Sequence, residues 1–233
     1  MAKSHAGNGW SSDVPTPAQM KEFWSQVDSG KITKERFQTF LRGRSGDQDW
    51  KEEWQRFYRK YFGLGPDLSG VKILEHQSGF DRLLIIAKGL TANQAYDVCA
   101  KHFPCWRYAD DLDKAVPNND RDSANGTYAV WFRNRQESDE ELKGLSADRL
   151  KEKGILGITL LERLLYELKY WDEANNHLDI SNRTLCSGSR SADGSVPDMY
   201  WSDDRLEVYW RYAYDHYDSL RSRAAVPCLP KAD

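Results

Sequence analysis

The segment 198–219 constrains this chain more than any other part of its sequence. Five of the 12 tyrosines and five aspartates fall in these 22 positions, which contain neither lysine nor glycine. Tyrosine provides a large, rigid, amphipathic contact surface at low conformational-entropy cost, and small polar residues provide adaptable hydrogen bonds. A catalytic pocket needs only a few polar groups in an apolar lining. The segment therefore predicts a recognition surface and not a reaction centre.

The codons behind these residues indicate how such a surface can vary. Asp, Tyr, His and Asn codons all contain adenine and interconvert by changes at the first base of an N-A-pyrimidine codon, whereas Trp codons lack adenine and Leu and Val codons can avoid it. The adenine-free positions expected to form the scaffold under the site are Trp201, Leu206, Val208 and Trp210. The predicted ligand-binding residues are Asp198, Tyr200, Ser202, Asp203, Asp204, Tyr209, Arg211, Tyr212, Tyr214, Asp215, His216, Tyr217, Asp218 and Ser219.

This alternation resembles the variable region of proteins diversified by diversity-generating retroelements, which copy a template with errors at adenines. The flanking stretches Thr-Leu-Cys-Ser-Gly-Ser-Arg at 184–190 and Leu-Arg-Ser-Arg-Ala-Ala-Val at 220–226 also resemble that family. The resemblance implies a C-type lectin fold of the formylglycine-generating-enzyme type, with a variable region at about 198–222. It also implies a non-enzymatic protein that binds a protein or surface ligand, on a fold that sometimes holds calcium. The aspartates at 110–122 lack the ligand spacing of an EF-hand and the cysteines lack that of a zinc site, so no metal and no cofactor are expected.

The distribution of Gly, Pro and apolar residues predicts three regions. Residues 1–16 are rich in Gly, Ser and Pro and are expected to be a disordered tail. Residues 17–66 show helical spacing of apolar residues and are expected to be a helical N-terminal region, which either forms an appendage or docks its aromatic faces on the body. Residues 67–233 are expected to be a C-type lectin-like domain. The predicted fold class is therefore α+β.

Within the third region, short apolar runs predict strands at 71–74, 83–86, 106–108 and 128–132. Helices are predicted at 91–101, 146–153 and 159–171. The first and last of these begin with Thr91-x-x-Gln94 and Thr159-x-x-Glu162, which have the form of a capping box. A helix followed by a run of short strands is the order expected of a C-type lectin fold.

Charge and hydropathy exclude some classes of partner. A net charge of −3 argues against general nucleic-acid binding, which requires a concentrated basic surface. No apolar run approaches the length of about 18 residues that spans a bilayer, so no membrane insertion is expected. The N-terminus lacks the apolar core of a signal peptide, which favours a cytoplasmic location, although display on a virion or cell surface by another route is compatible with it.

Cysteine, histidine and aspartate offer the main alternative to binding. Cys99 and Cys105 flank His102, but no orienting carboxylate is identifiable, so a buried cysteine and a surface histidine are expected. Cys186 and Cys228 flank the 198–219 segment and are expected to be reduced and buried. Two alternatives stay open: an enzyme on a related α+β fold with a Cys/His or Asp site, and a structural subunit that assembles through its aromatic N-terminal helices.

Overall fold

A computed structural model describes residues 16–33, 37, 47–74 and 77–228 and divides the chain into two compact units between Asp49 and Trp50. In the first unit, helix α1 (Pro17–Asp28) begins at a reciprocal capping box between Thr16 and Gln19. The helix at this position is confirmed. The predicted tail, apart from Thr16, lies outside the described residues, as do residues 34–36 and 38–46 of the predicted helical region.

The second unit is an α+β domain, so the predicted fold class is confirmed. Its helices are α2 (Asp47–Phe62, which begins at the end of the first unit), α3 (Ala92–His102), α4 (Leu112–Ala115), α5 (Ala147–Glu152) and α6 (Leu160–Ala174). Its strands are β1 (Arg82–Ile86), β2 (Cys105–Arg107), β3 (Asn118–Asn119), β4 (Tyr128–Phe132), β5 (Arg183–Leu185), β6 (Ser189–Arg190), β7 (Val196–Ser202), β8 (Arg205–Arg211), β9 (Leu220–Arg221) and β10 (Val226–Pro227).

The described strands form three sheets. One has the order β1-β4-β10 and is antiparallel throughout. The largest has the order β2-β8-β7-β5-β9, with the antiparallel hairpin β7–β8 near its centre and β2 and β9 joined in parallel to β8 and β5. Strands β3 and β6 form a small separate ladder. The 198–219 segment therefore begins inside the largest sheet and leaves it after β8.

Most local predictions from the sequence are confirmed, and one is wrong. Both predicted capping boxes form, at the N-termini of α3 and α6, and β4 coincides with the apolar run at 128–132. The apolar run at 71–74 is not a strand. Val71 N donates to Leu68 O in a turn, and Leu74 O accepts a hydrogen bond from the indole of Trp131. Val71 is buried and Ile73 packs against the core, so these two residues are apolar because of side-chain packing and not because they pair in a sheet.

Helix α2 from Trp50 onward belongs to the core of the second unit, so the boundary between the units lies in the first turn of this helix and not at residue 66. Trp54, Phe57 and Tyr58 are buried on one face of this helix. The Tyr58 hydroxyl donates to Ile85 O at 2.7 Å and accepts from Ala87 N at 3.0 Å. It thereby satisfies two backbone groups at the end of β1, and its burial raises its pKa.

Replacing Tyr58 by phenylalanine should lower the free energy of unfolding by about 1–3 kcal/mol, because it leaves a buried N–H and a buried C=O without their partner. Urea denaturation measures the change. Tyr214→Phe is the matched control, since that ring is largely exposed and its hydroxyl is not needed to satisfy the backbone. A loss of similar size in both variants would contradict this role of the Tyr58 hydroxyl.

A buried ionic cluster joins the C-terminal end of α6 to α2 and β1. Lys169 Nζ lies 2.6 Å from Glu53 Oε1 and 2.8 Å from Glu173 Oε1. Arg82 Nη1 lies 2.8 Å from Glu173 Oε2. Burial alone would raise the pKa of Glu173, but Arg82 and Lys169 hold that pKa well below its usual range.

This cluster predicts acid sensitivity. Because the pKa of Glu173 is lower in the folded state than its ordinary value of 4.5, its contribution to stability is present above that value and is lost as the pH falls through the folded pKa. Urea denaturation at a series of pH values should show a falling free energy of unfolding below about pH 5. Glu173→Gln should make this fall less steep. An identical pH dependence in the two proteins would exclude Glu173 as a source of the effect.

Candidate functional site

The hairpin β7–β8 separates the residues of the 198–219 segment onto two faces. Its register pairs Asp198 with Tyr209, Met199 with Val208 and Trp201 with Leu206. Because successive side chains of a strand point to opposite faces, residues that pair also share a face. The inner face carries Pro197, Met199, Trp201, Leu206, Val208 and Trp210. The outer face carries Val196, Asp198, Tyr200, Ser202, Arg205, Glu207, Tyr209 and Arg211.

The inner face packs on the core of the domain. Met199, Leu206 and Val208 are completely buried in the main hydrophobic core. Trp201 packs against this core, and its ring stacks on that of His177 with their centroids 3.3 Å apart. Trp210 is half-buried. All four predicted scaffold residues therefore lie on one face, Leu206 and Val208 completely buried and the two tryptophans partly.

Glu207 organises the centre of the outer face. Its carboxylate accepts a hydrogen bond from the Tyr200 hydroxyl and two from Arg205, through Nε at 2.9 Å and Nη2 at 2.6 Å. Partial burial would raise the pKa of Glu207, but the bonds from Tyr200 and Arg205 lower it below its usual range. Glu207 is thus an ionised acceptor that positions the half-buried ring of Tyr200.

Asp198 lies on the outer face, yet its side chain is completely buried. Its Oδ2 lies 3.3 Å from Arg211 Nε and 3.6 Å from Arg183 Nη1. Desolvation raises the pKa of this carboxyl group, although both arginines oppose the shift. Asp198 was predicted to contact ligand, whereas its burial makes it a support for the two arginines above it.

The segment after β8 folds back over part of the outer face. Ala213 and Tyr217 turn inward and pack on a small cluster of buried residues, Ala147, Leu185, Val196 and Leu220. Tyr212 and Tyr214 point outward, with 49% and 64% of their surface exposed. Their rings lie parallel within 7°, with centroids 5.3 Å apart.

Polar residues of the same segment follow these two rings in the chain. Asp215 Oδ2 accepts a hydrogen bond from Tyr212 N at 3.0 Å, which fixes the turn. His216 is exposed, and its Nδ1 lies 3.1 Å from Tyr214 O. The side chain of Asp218 is 94% exposed, and Ser219 is half-buried.

The tip of the hairpin is a two-residue turn formed by Asp203 and Asp204. Both are exposed and have positive φ angles of 50° and 62°, as a type I′ turn requires. Aspartate and asparagine adopt this left-handed conformation more readily than most other residues. Ser202, which pairs with Arg205 beside the turn, is half-buried on the outer face.

Trp106 and Arg183 belong to this surface but were missed in the sequence. Strand β2 pairs in parallel with β8, and Trp106 lies opposite Glu207. The half-exposed ring of Trp106 stacks on the ring of Tyr209, with their centroids 5.7 Å apart. The guanidinium of Arg183, on β5, lies 3.3 Å from the centroid of the Tyr200 ring. Both positions depend on pairing between distant parts of the chain, for which the sequence carries no local signal.

The cysteines do not support nucleophilic chemistry. Desolvation raises the pKa of the Cys99 and Cys186 thiols and raises that of Cys105 to about 12, whereas a nucleophile must be a thiolate. Cys186 and Cys228 are both buried, as predicted, and neither forms a disulfide. His102 lies at the surface with its ring against Tyr61.

Two of the aspartates at 110–113 accept hydrogen bonds at helix N-termini. Asp111 Oδ1 accepts a hydrogen bond from Lys114 N at the start of α4, and Asp113 Oδ1 accepts one from Ala92 N at the start of α3. Among the described residues, no group of three or more His, Cys, Asp or Glu side chains is placed to hold a metal ion. In the same part of the chain, no helix is long and apolar enough to cross a bilayer.

Together these observations describe an α+β protein with a polar and aromatic surface on the hairpin β7–β8 and on the segment that follows it. No protein-family model, no curated protein and no solved structure matches the chain. The function must therefore be inferred from the surface itself.

Proposed function

We propose that this chain is a non-enzymatic ligand-binding protein with a C-type lectin-like fold, whose outer face is diversified by adenine-directed mutagenesis from a retroelement. The observation that carries the proposal is the hairpin register. The adenine-free positions Trp201, Leu206, Val208 and Trp210 share the inner face. The outer face and the exposed loop after it carry most of the Tyr, Asp and His positions. Met199, whose codon contains adenine, is the exception on the inner face.

This division has a physical consequence for diversification. Truncation of a buried aliphatic side chain costs about 2–5 kcal/mol, whereas substitutions at exposed positions usually change stability by less than about 0.5 kcal/mol. Mutagenesis restricted to the exposed positions of the outer face and of the segment after it therefore alters the contact chemistry while leaving the core intact. Tyrosine and tryptophan, which this face displays, are among the residues that contribute most to binding energy at interfaces.

The lectin-like fold is supported by the order of elements near the site. Helix α6 precedes the short strands β5 to β10, and the hairpin β7–β8 lies between β2 and β5 in a mixed sheet. A close backbone approach joins the start of this region to α6. At Gly188, a Cβ atom would lie 2.6 Å from Gly157 O, so only glycine fits.

Two display libraries test the binding function. The first randomises outer positions, namely Tyr200, Ser202, Tyr209, Arg211, Tyr212 and Tyr214. The second randomises inner positions, namely Met199, Trp201, Leu206, Val208 and Trp210. We expect most members of the first library to fold and to yield specific binders against unrelated target proteins, while most members of the second fail to fold. Equal folding losses in the two libraries, or no binders from the first, would contradict the proposal.

The genome provides a separate test of diversification. A near-identical template should lie close to a reverse transcriptase gene, and the differences between template and coding sequence should fall at template adenines. Absence of such a template from the complete genome would exclude the retroelement while leaving the binding function to the library experiment.

A further inference from the structure

Three aromatic rings on the outer face are already covered by arginines of the protein itself. The guanidinium of Arg183 lies 3.3 Å from the centroid of the Tyr200 ring, and that of Arg211 lies 5.0 Å from the centroid of the Tyr209 ring. The third ring is that of Trp106, with Arg205 at 5.9 Å. A cation over an aromatic face is attracted by the negative charge of that face. Cation–π contacts between arginine and an aromatic ring therefore recur on this surface.

Tyr212 and Tyr214 are the two rings of this surface that differ. They are stacked on each other, and no lysine or arginine of the described chain lies over either ring. Trp210 contacts Tyr212 edge-on from one side, with centroids 5.2 Å apart, and so supports the pair without covering it. The pair is a preformed aromatic platform that no cation of the described chain covers.

The segment that carries this platform has a negative charge. Segment 212–219 contains Asp215 and Asp218 and neither lysine nor arginine. Asp215 is fixed by its bond to Tyr212 N, and Asp218 is exposed, with Lys143 Nζ 3.5 Å from its carboxylate. Exposed rings next to carboxylates attract a cation through two additive effects, cation–π contact and Coulomb attraction.

We infer that the platform of Tyr212 and Tyr214, with Asp215 and Asp218, binds an arginine side chain of a basic polypeptide ligand. The inference rests on the proposed binding function and specifies its ligand class. Arginine fits better than lysine because its planar guanidinium stacks on a ring while its N–H groups pair with a carboxylate. A polypeptide fits the neighbouring outer face, which offers the half-exposed rings of Trp106 and Tyr209 for further contacts.

A titration with matched peptides tests the inference. The probes are acetyl-Gly-Arg-Gly-Arg-Gly-amide and the same peptide with citrulline, a neutral analogue of similar shape, in place of arginine. The readouts are the ring NMR resonances of Tyr212 and Tyr214 and the dissociation constant. We expect saturable shifts of both rings with the arginine peptide and about three- to tenfold weaker binding of the citrulline peptide. Equal binding of the two peptides, or no shift of these rings, would overturn the inference.

Two charge-matched double variants locate the effect. Asp215→Asn with Asp218→Asn should weaken binding of the arginine peptide about two- to fivefold, because asparagine keeps the hydrogen-bond acceptor and removes the charge. Asp67→Asn with Asp81→Asn makes the same charge change at two exposed positions that precede β1. Neither position belongs to the hairpin β7–β8 or to the segment after it, and asparagine keeps the acceptor that each side chain offers to a backbone N–H, so binding should not change. Equal losses in both variants would also overturn the inference.

The two proposals fail in different ways. If binders selected from the outer-face library are neutral or acidic and the arginine peptide does not shift the rings, the ligand class is wrong and the binding function stands. If that library yields no binders, the binding function fails, whatever the peptide does.

Discussion

Replacing Asp179 by asparagine should lower the free energy of unfolding by about 3–5 kcal/mol, because it leaves the buried guanidinium of Arg223 without a counter-charge. Arg163 loses one of its two carboxylate partners and keeps Glu167. Asp179 is completely buried. Its carboxylate accepts hydrogen bonds from Arg163 at 2.8 and 3.0 Å, from Arg223 at 2.7 Å and from the Thr184 hydroxyl. Its φ angle of 56° is one that asparagine also adopts, so the backbone is not the cause of the loss.

Urea denaturation measures this loss, and Glu152→Gln is the control. Glu152 pairs with Arg149 at 2.6 Å, but both side chains are exposed, so that pair contributes at most about 1 kcal/mol. The effect should extend to the candidate site, because Asp179 O accepts a hydrogen bond from Trp201 N at 3.0 Å. Hydrogen exchange at Trp201 N–H should therefore be faster in Asp179→Asn. A loss no larger than that of the control would show that the pairing of Asp179 with Arg163 and Arg223 does not stabilise the fold.

Leu206→Ala should lower the free energy of unfolding by about 2–5 kcal/mol, the usual range for truncating a buried leucine. Leu206 is completely buried on the inner face, opposite Trp201. The lost apolar contact and the cavity that remains both contribute to the expected change.

Tyr214→Ala, on the exposed platform, should change stability by less than about 0.5 kcal/mol. It removes a larger side chain than Leu206→Ala does, so size alone predicts the opposite order. Thermal and urea denaturation of the two variants give the comparison directly. Similar losses in both would show that the platform belongs to the core, and would remove the physical basis for a tolerant outer face.

The parts of the fold that were predicted correctly are those defined by local interactions. Thr91 and Thr159 cap helices by exchanging hydrogen bonds with the residue three positions later, so a four-residue sequence pattern is enough to predict their role. The apolar run of β4 is buried on both faces, which a continuous apolar stretch indicates. The run at 71–74 is also rich in apolar residues but lies in a loop. Strand formation requires a partner strand, which the sequence does not identify.

The four scaffold positions of the segment were predicted to lie together, but the residues that support the outer face were not predicted. The alternation of polar and tryptophan positions indicated the two faces of β7–β8. That Asp198 is buried follows from Arg183, Arg211 and the returning loop, which meet only in the folded chain. The buried pairing of Arg223 with Asp179 is likewise a long-range contact. Charged residues are rarely buried, so the sequence gives no reason to place them there.

The turn of Asp203 and Asp204 has a consequence for how this surface can change over generations. A two-residue type I′ loop fixes the register of its hairpin, and a slip of one residue would exchange the two faces of β7 and β8. As long as these two positions keep aspartate, asparagine or glycine, the register is maintained, and a residue substituted on the outer face stays on that face of the sheet. Residues that maintain the fold and residues that determine binding specificity thus alternate along the same two strands.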